Sequence, residues 1–194
     1  MQSYLELCAG RDVLLCGLAA CGRVTPEQCV TELTQLARRV IVLDIRHAAL
    51  EPALRAGAEA VVADAENFSL PCQVDVVLCW KILQHLSNAG AFLQCVRGAL
   101  HPPGHLIIKT ANVDALVRRL YVTLGLLSRT DWANPHHVAL YDAETLCHLL
   151  SKYRFRVERL SFQSGSRLGA MASSIRAHWS DDLLAVSTME PDCT

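Results

Sequence analysis

Apolar residues along this chain fall into short continuous runs separated by stretches of helical period. Runs rich in Val, Leu and Ile occupy residues 13–16, 40–44, 60–63, 74–79 and 106–110. Continuity, as opposed to strict alternation, predicts strands buried on both faces, as in a parallel sheet. Thr25, Pro26 and Gln28 form a helix start, with Thr25 as N-cap, Pro26 at the first helical position and Gln28 closing a capping box. That helix is expected to reach Arg38 or Arg39, whose charges suit a helix C-terminus. Residues 48–56 predict a short helix stopped by Gly57, and 88–100 another, after which His101, Pro102, Pro103 and Gly104 break the chain before the strand at 106–110.

The second half is less regular. Residues 114–127 have helical period and an apolar surface with Arg118 and Arg119 on one side, followed by an irregular segment, 128–137, containing Asn134 and Pro135. A helix over 142–152 opens on Asp142 as N-cap. Residues 156–162 alternate as RVERLSF, 183–188 read as a last strand, and the Gly-, Ser- and Arg-containing stretch 163–182 predicts a long hairpin connection. The whole predicts one α/β domain over 1–194, a three-layer α/β/α sandwich on a Rossmann-like seven-stranded sheet, parallel except for the last strand.

Composition narrows the function classes. With 18 Lys plus Arg against 19 Asp plus Glu in 194 residues, and 52% hydrophobic residues, the chain is neither a basic nucleic-acid binder nor disordered. No run approaches the roughly 18 uninterrupted apolar residues of a membrane span, so no membrane span is expected and a cytoplasmic location is the default. The nine cysteines include no CxxC pair, and we read most, such as Cys16, Cys79 and Cys147, as small buried hydrophobes of a reducing compartment.

Acids end the second and third strands, at Asp44 and Asp64. In a doubly wound sheet the ligand lies outside the carboxyl ends of the strands, where the strand order reverses. A carboxylate at the tip of the second strand there can accept hydrogen bonds from both hydroxyls of a ribose. Gly17, Ala19 and Gly22 also follow a GxAxxG spacing with Asp44 about 20 residues on, the pattern of a nicotinamide-dinucleotide fingerprint. Glu66 reads as solvated.

From Arg11 to about Phe162 the chain resembles the class I S-adenosylmethionine-dependent methyltransferases, most closely those acting on small molecules. The resemblance lies in VLLCGLAACG (13–22), VIVLDI (40–45), VVADAENF (61–68), VDVVLCWKILQHL (74–86) and FLQCVRGALHPPGHLIIKTAN (92–112). It implies S-adenosylmethionine as cofactor, S-adenosylhomocysteine as product and a small-molecule acceptor. It places Gly17 and Ala19 in the cofactor loop, Asp44 on the ribose, Ile45 on the adenine face, Asp64 with the Ala65 amide on the adenine edge, and Cys79 as a further cofactor position. His85 follows Gln84 where relatives carry a histidine after a glutamate, which makes it the candidate base. His137, in HHVALYDAETL, matches a histidine leading from the lid into the last helix. No metal is implied, since His136 and His137 have no third ligand at a suitable spacing.

The sequence departs from the family in three places. Leu15 stands where an acid precedes the first glycine, Ala19 and Cys21 stand where glycines recur, and little chain precedes the first strand. Residues 111–140 then read as a lid over the acceptor, with Tyr121 and Trp132, and with Arg118, Arg119 and Arg129 suited to an anionic group on it. These departures, together with Gln84 in place of the family's glutamate, also motivate a second reading, a degenerate methyltransferase-like subunit serving as a binding or scaffolding partner. With little chain before the first strand, either the site is more open or another chain, a second copy or a partner subunit, completes it.

Overall fold

A computed structural model describes residues 4–18, 25–125, 136–164 and 167–191. Seven strands form one sheet: β1 (Asp12–Cys16), β2 (Arg39–Asp44), β3 (Glu59–Val62), β4 (Val74–Trp80), β5 (Leu100–Ala111), β6 (Phe155–Gln163) and β7 (Asp182–Met189). Their order is β3-β2-β1-β4-β5-β7-β6. Pairs β1–β2, β1–β4, β2–β3 and β4–β5 are parallel, while β7 runs antiparallel to both β5 and β6. The expected sheet, parallel except for its last strand, is the observed one. The antiparallel β7 between β5 and β6 also distinguishes this sheet from the 3-2-1-4-5-6 order of dinucleotide-binding domains.

Alternation along the strands divides the core in two. Leu14 and Cys16 of β1 face the side of helices α3 (Ala89–Ala99) and α5 (Ala143–Lys152), where Phe92, Leu93, Val96, Leu146 and Leu150 are buried. Val13 and Leu15 face α1 (Pro26–Leu36) and α2 (His47–Arg55), meeting Val30, Leu33, Leu50 and Ala53. The capping signals hold: the Thr25 hydroxyl accepts from the Gln28 amide at 3.2 Å, and the Gln28 carboxamide oxygen accepts from the Thr25 amide at 3.0 Å. Asp142 accepts from the Thr145 amide at 2.7 Å.

Some boundaries move. Helix α1 stops at Leu36, with Ala37 already extended, so neither Arg38 nor Arg39 lies in its last turn. Strand β3 ends at Val62, and Asp64 instead bridges to Asn67 across a tight turn. Strand β5 begins at Leu100, so residues 101–104 form an irregular register against β4 and not a break. The helix expected over 114–127 is the shorter α4 (Leu116–Thr123). The expected hairpin connection before β7 holds a helix, α6 (Arg167–Ile175), and a 3₁₀ turn (Ala177–Trp179). Leu, Ala and Met in α6 favour helix, while Gly169 and the two serines dilute the period that would reveal it. Of the residues singled out from sequence, Ala19, Cys21, Gly22, Arg129, Trp132, Asn134 and Pro135 lie outside the described residues.

Candidate active site

The two central strands, β1 and β4, send their crossovers to opposite faces, α1 to one and α3 to the other. A crevice therefore opens at their carboxyl ends. Gly17 begins the loop there with φ +83°, and its amide donates to the Leu43 carbonyl at 3.1 Å. A Cβ at residue 17 would overlap the Ile82 Cγ2 methyl and lie 3.3 Å from the Trp80 carbonyl oxygen. The tip of β1 and the turn after β4 can touch only because residue 17 has no side chain. Leu15, where the resemblance expects an acid, is buried on the α1 face and offers nothing to a ligand.

Asp44 closes β2 on the same edge and is 8% exposed. Its Oδ1 accepts from the Arg46 amide at 2.9 Å and faces Arg46 Nε at 3.3 Å, which fixes the carboxylate. Beside it Ile45 is 64% exposed, an apolar side chain next to a nearly buried acid. That pairing suits a flat ring over the isoleucine and a hydroxylated sugar on the carboxylate. Asp64 is exposed and its Oδ1 accepts from the Glu66 amide at 2.9 Å, a local turn bond. Ala65 is half-buried against the core. Glu66 is not simply solvated: its Oε1 accepts from the Ser87 amide and its carbonyl faces the Cys95 thiol at 3.6 Å, tying the loop after β3 to the turn after β4.

That turn carries the candidate base. Lys81 leaves β4 with φ +53°, and residues 83–85 form a 3₁₀ turn. Gln84 is buried, with its Oε1 accepting from the buried Thr110 hydroxyl of β5 at 3.0 Å. Its backbone carbonyl accepts from the Val138 amide at 2.8 Å and the Ala139 amide at 3.3 Å, so the segment following the expected lid docks on this turn. His85 is exposed, and its Nδ1 lies 3.0 Å from the His136 carbonyl oxygen. A carbonyl only accepts, so this bond puts the proton on Nδ1 and leaves Nε2 of the neutral ring as a lone pair. The His137 ring packs edge-on against it at 4.7 Å and 62°. Both sequence-predicted histidines therefore meet in one place.

Cys79 is corrected. Its side chain is fully buried among Leu14, Cys16 and Val77, and desolvation pushes its thiol up to about 12, so it is core and not a ligand contact. Continuous burial of β4 on both faces makes this the expected fate of an inward cysteine.

Sequence reading missed a charged cluster on the same edge. Asp182 at the start of β7 pairs with Lys81 at 2.8 Å and Lys109 at 3.5 Å. The only sequence signal for it is three charges at the ends of apolar runs, VVLCWK, LIIK and DLLAV, which read as strand boundaries. Asn112, fully buried, holds the neighbouring connection by donating its Nδ2 to the His178 and Ser180 carbonyls, each at 2.8 Å. On α4, Arg119 pairs with Asp114 and Arg118 is buried, its guanidinium pKa lowered by desolvation. Among the described residues no three His, Cys, Asp or Glu side chains gather as metal ligands would, and no helix is long and apolar enough to cross a membrane.

The match to known proteins follows this geometry. A methyltransferase-domain family model covers residues 2–160. A protein of Mycolicibacterium smegmatis, named as a probable S-adenosylmethionine-dependent methyltransferase, is 30% identical over 161 residues, 81% of this chain and 56% of that protein. The mitochondrial ubiquinone biosynthesis O-methyltransferase of Schizosaccharomyces pombe is 33% identical over 80 residues, 41% of this chain and 29% of that protein. The chain thus spans about half or less of the length of these relatives. The N-methyltransferase NodS of Bradyrhizobium japonicum, solved with S-adenosyl-L-homocysteine, superposes with a TM-score of 0.64 at 21% identity, covering 97% of this chain and 83% of that one. With a glycine at the β1 tip, a fixed acid at the β2 tip and an exposed apolar residue beside it, the site fits the adenosyl cofactor of that fold, and the chain belongs to the class I S-adenosylmethionine-dependent methyltransferases.

Proposed function

We propose that this chain transfers a methyl group from S-adenosylmethionine to a small-molecule acceptor, with His85 as the base. The observation that carries this reading is the His85 turn: an imidazole whose Nδ1 is committed to a carbonyl, mounted directly after the strand beside the cofactor loop. When bound, the cofactor supplies an activated methyl on a sulfonium, so the protein need only align the acceptor and remove its proton. Asp44 would hold the ribose hydroxyls, Ile45 would cover one face of the adenine, and Asp64 with the Ala65 amide would meet its edge. Gly17 would let the backbone approach the methionine end, while Ala19, where the family carries a glycine, would narrow that approach. Nε2 of His85 would accept the acceptor's proton, and His137 would pack against that ring to limit its rotation. Gln84 would hold the turn through Thr110, while α4 and the segment at 136–140, described parts of the expected lid at 111–140, would close over the acceptor.

Calorimetric titration with S-adenosylmethionine and S-adenosylhomocysteine, with NAD as control, tests the cofactor site. Micromolar binding of the first two and none of NAD is the expected result. An acceptor screen with wild type and His85→Gln then tests the base, because the variant should keep cofactor affinity and lose turnover.

One observation favours a second reading, a subunit that binds without turnover. Leu15 is core where an acid would organise the cofactor's amino group. A chain that binds neither adenosyl ligand but holds a protein partner stoichiometrically would establish it.

A further inference from the structure

Two ammonium groups converge on one carboxylate at the carboxyl edge, giving the cluster one net positive charge. Lys81 Nζ lies 2.8 Å from Asp182 Oδ1, and Lys109 Nζ lies 3.5 Å from Asp182 Oδ2. The three side chains are 28%, 16% and 5% exposed, in the order Lys81, Lys109, Asp182. Each ammonium carries three donors, so one shared carboxylate cannot satisfy both. Lys109 also stands 5.6 Å over the Trp80 ring, itself 4.9 Å from the Tyr4 ring, which removes water from that side. Two partly exposed lysines sharing one buried acid leave a positive site that an anion would complete.

The placement points to the crevice. The Lys81 amide donates to the Lys109 carbonyl at 2.8 Å, extending the β4–β5 ladder to the strand tip. Lys81 then takes φ +53°, an uncommon conformation for a residue with a long side chain. The next residue, Ile82, fills the space where Gly17 lacks a side chain. The turn that carries the Lys81 ammonium is therefore the turn that abuts the cofactor loop.

We propose that Lys81 and Lys109 form an anion-binding subsite at the carboxyl edge, with Asp182 as the counter-ion that holds both ammonium groups in place. Two ligands bring a suitable anion. One is the carboxylate at the methionine end of the cofactor, which would be oriented by this charge because Leu15 offers no acid to its amino group. The other is a carboxylate or phosphate on the acceptor, an inference that rests on the small-molecule reading above.

The test uses the full chain, the variants Lys81→Met and Asp182→Asn, and three probes. S-adenosylhomocysteine carries the carboxylate, 5′-methylthioadenosine lacks it, and inorganic phosphate is titrated calorimetrically onto chain with and without S-adenosylhomocysteine. If the cofactor carboxylate is the ligand, Lys81→Met weakens S-adenosylhomocysteine about tenfold and leaves 5′-methylthioadenosine within about twofold. If the anion belongs to the acceptor, both adenosyl ligands bind the variant normally, phosphate binds the S-adenosylhomocysteine-loaded wild type, and Lys81→Met abolishes that binding. In either case Asp182→Asn, which frees both ammonium groups, tightens the same ligand by about threefold. Opposite signs for the two variants cannot come from a shared loss of folding. Equal weakening by both, or no effect of either together with no phosphate binding, overturns the proposal. Should the wild type bind no adenosyl ligand, the cofactor site itself fails, and phosphate binding to the unloaded chain, lost or kept in Lys81→Met, decides the subsite alone.

Discussion

Replacing Gly17 by Ala tests the contact on which the crevice is built. Two costs add in the single variant. Alanine at φ +83° is strained by roughly 1–2 kcal/mol, the scale for a Cβ in left-handed backbone. Overlap with the Ile82 Cγ2 methyl adds about 1–3 kcal/mol, the usual range for overpacking. The expected loss of roughly 2–5 kcal/mol is a large share of the ~5–15 kcal/mol by which a domain is stable. A double-mutant cycle separates the two costs. Ile82→Ala removes the overlapped methyl and leaves the Ile82 Cβ at 3.3 Å, so Gly17→Ala in that background should cost only the backbone strain. The cycle then shows a coupling of roughly 1–3 kcal/mol, favourable to the double variant. Urea unfolding followed by tryptophan fluorescence measures all four stabilities. Additivity within about 0.5 kcal/mol would refute the contact and the closeness of the β1 tip to the turn after β4.

Four further outcomes are expected. Asp44→Ala should weaken S-adenosylhomocysteine at least about 100-fold by calorimetry, since two hydroxyl bonds to a carboxylate are lost at about 1.5–3 kcal/mol each. His85→Gln should lower turnover by about 10²–10⁴-fold at saturating acceptor while leaving cofactor affinity unchanged. Asp142→Ala should cost about 0.5–2 kcal/mol near neutral pH through the lost cap on α5. The Thr145 backbone and side-chain hydrogen bonds hold the Asp142 carboxyl below its ordinary value, so this stabilisation is full above that value, 3.8, and disappears as pH falls through the lowered one, which acid titration of the difference in stability would show. Burial lowers the His105 imidazole below its ordinary 6.5, so the neutral ring favours the fold and acid opposes it; His105→Gln should reduce the loss of stability as pH falls from 6.5, measured by urea unfolding across that range.

What was legible in the sequence is what is local. Thr25, Pro26 and Gln28 specify a helix start within four residues, and Asp142 does so with Thr145, because a cap needs only neighbouring amides. The strands were legible because burial on both faces leaves continuous apolar runs, and the tip acids Asp44 and Asp64 because a charge ending such a run stands out. Helix α6 was hidden by Gly169, which lies against the Asp181 side chain, a contact formed across twelve residues. The Gln84 to Thr110 bond, the Glu66 to Ser87 bond and the pairing of Lys81 with Asp182 join residues 21 to 101 positions apart, and no spacing rule encodes them. Asp64 shows the limit of tip reasoning: β3 stops at Val62, and in the turn beyond it one Asp64 carboxylate oxygen already accepts from the Glu66 amide.

These long-range bonds share one consequence. The turn after β4 is a three-residue 3₁₀ segment that buries Leu83 in the core and leaves His85 exposed. It is held from four directions: by Gly17 packing on Ile82, by Thr110 on Gln84, by Glu66 on Ser87, and by Asp182 on Lys81. The segment at 136–139 then rests on it through Gln84 and His85. A base on an otherwise free loop would spend most of its time misaligned, and alignment is the main service a methyltransferase gives its acceptor. Distributing the restraint over β1, β3, β5 and β7 makes the position of His85 a property of the sheet. Loss of the Thr110 tie to Gln84, which involves no residue assigned to the cofactor, should therefore lower turnover more than it lowers cofactor affinity, since the adenosyl contacts at Asp44 and Ile45 lie on β2 and its tip.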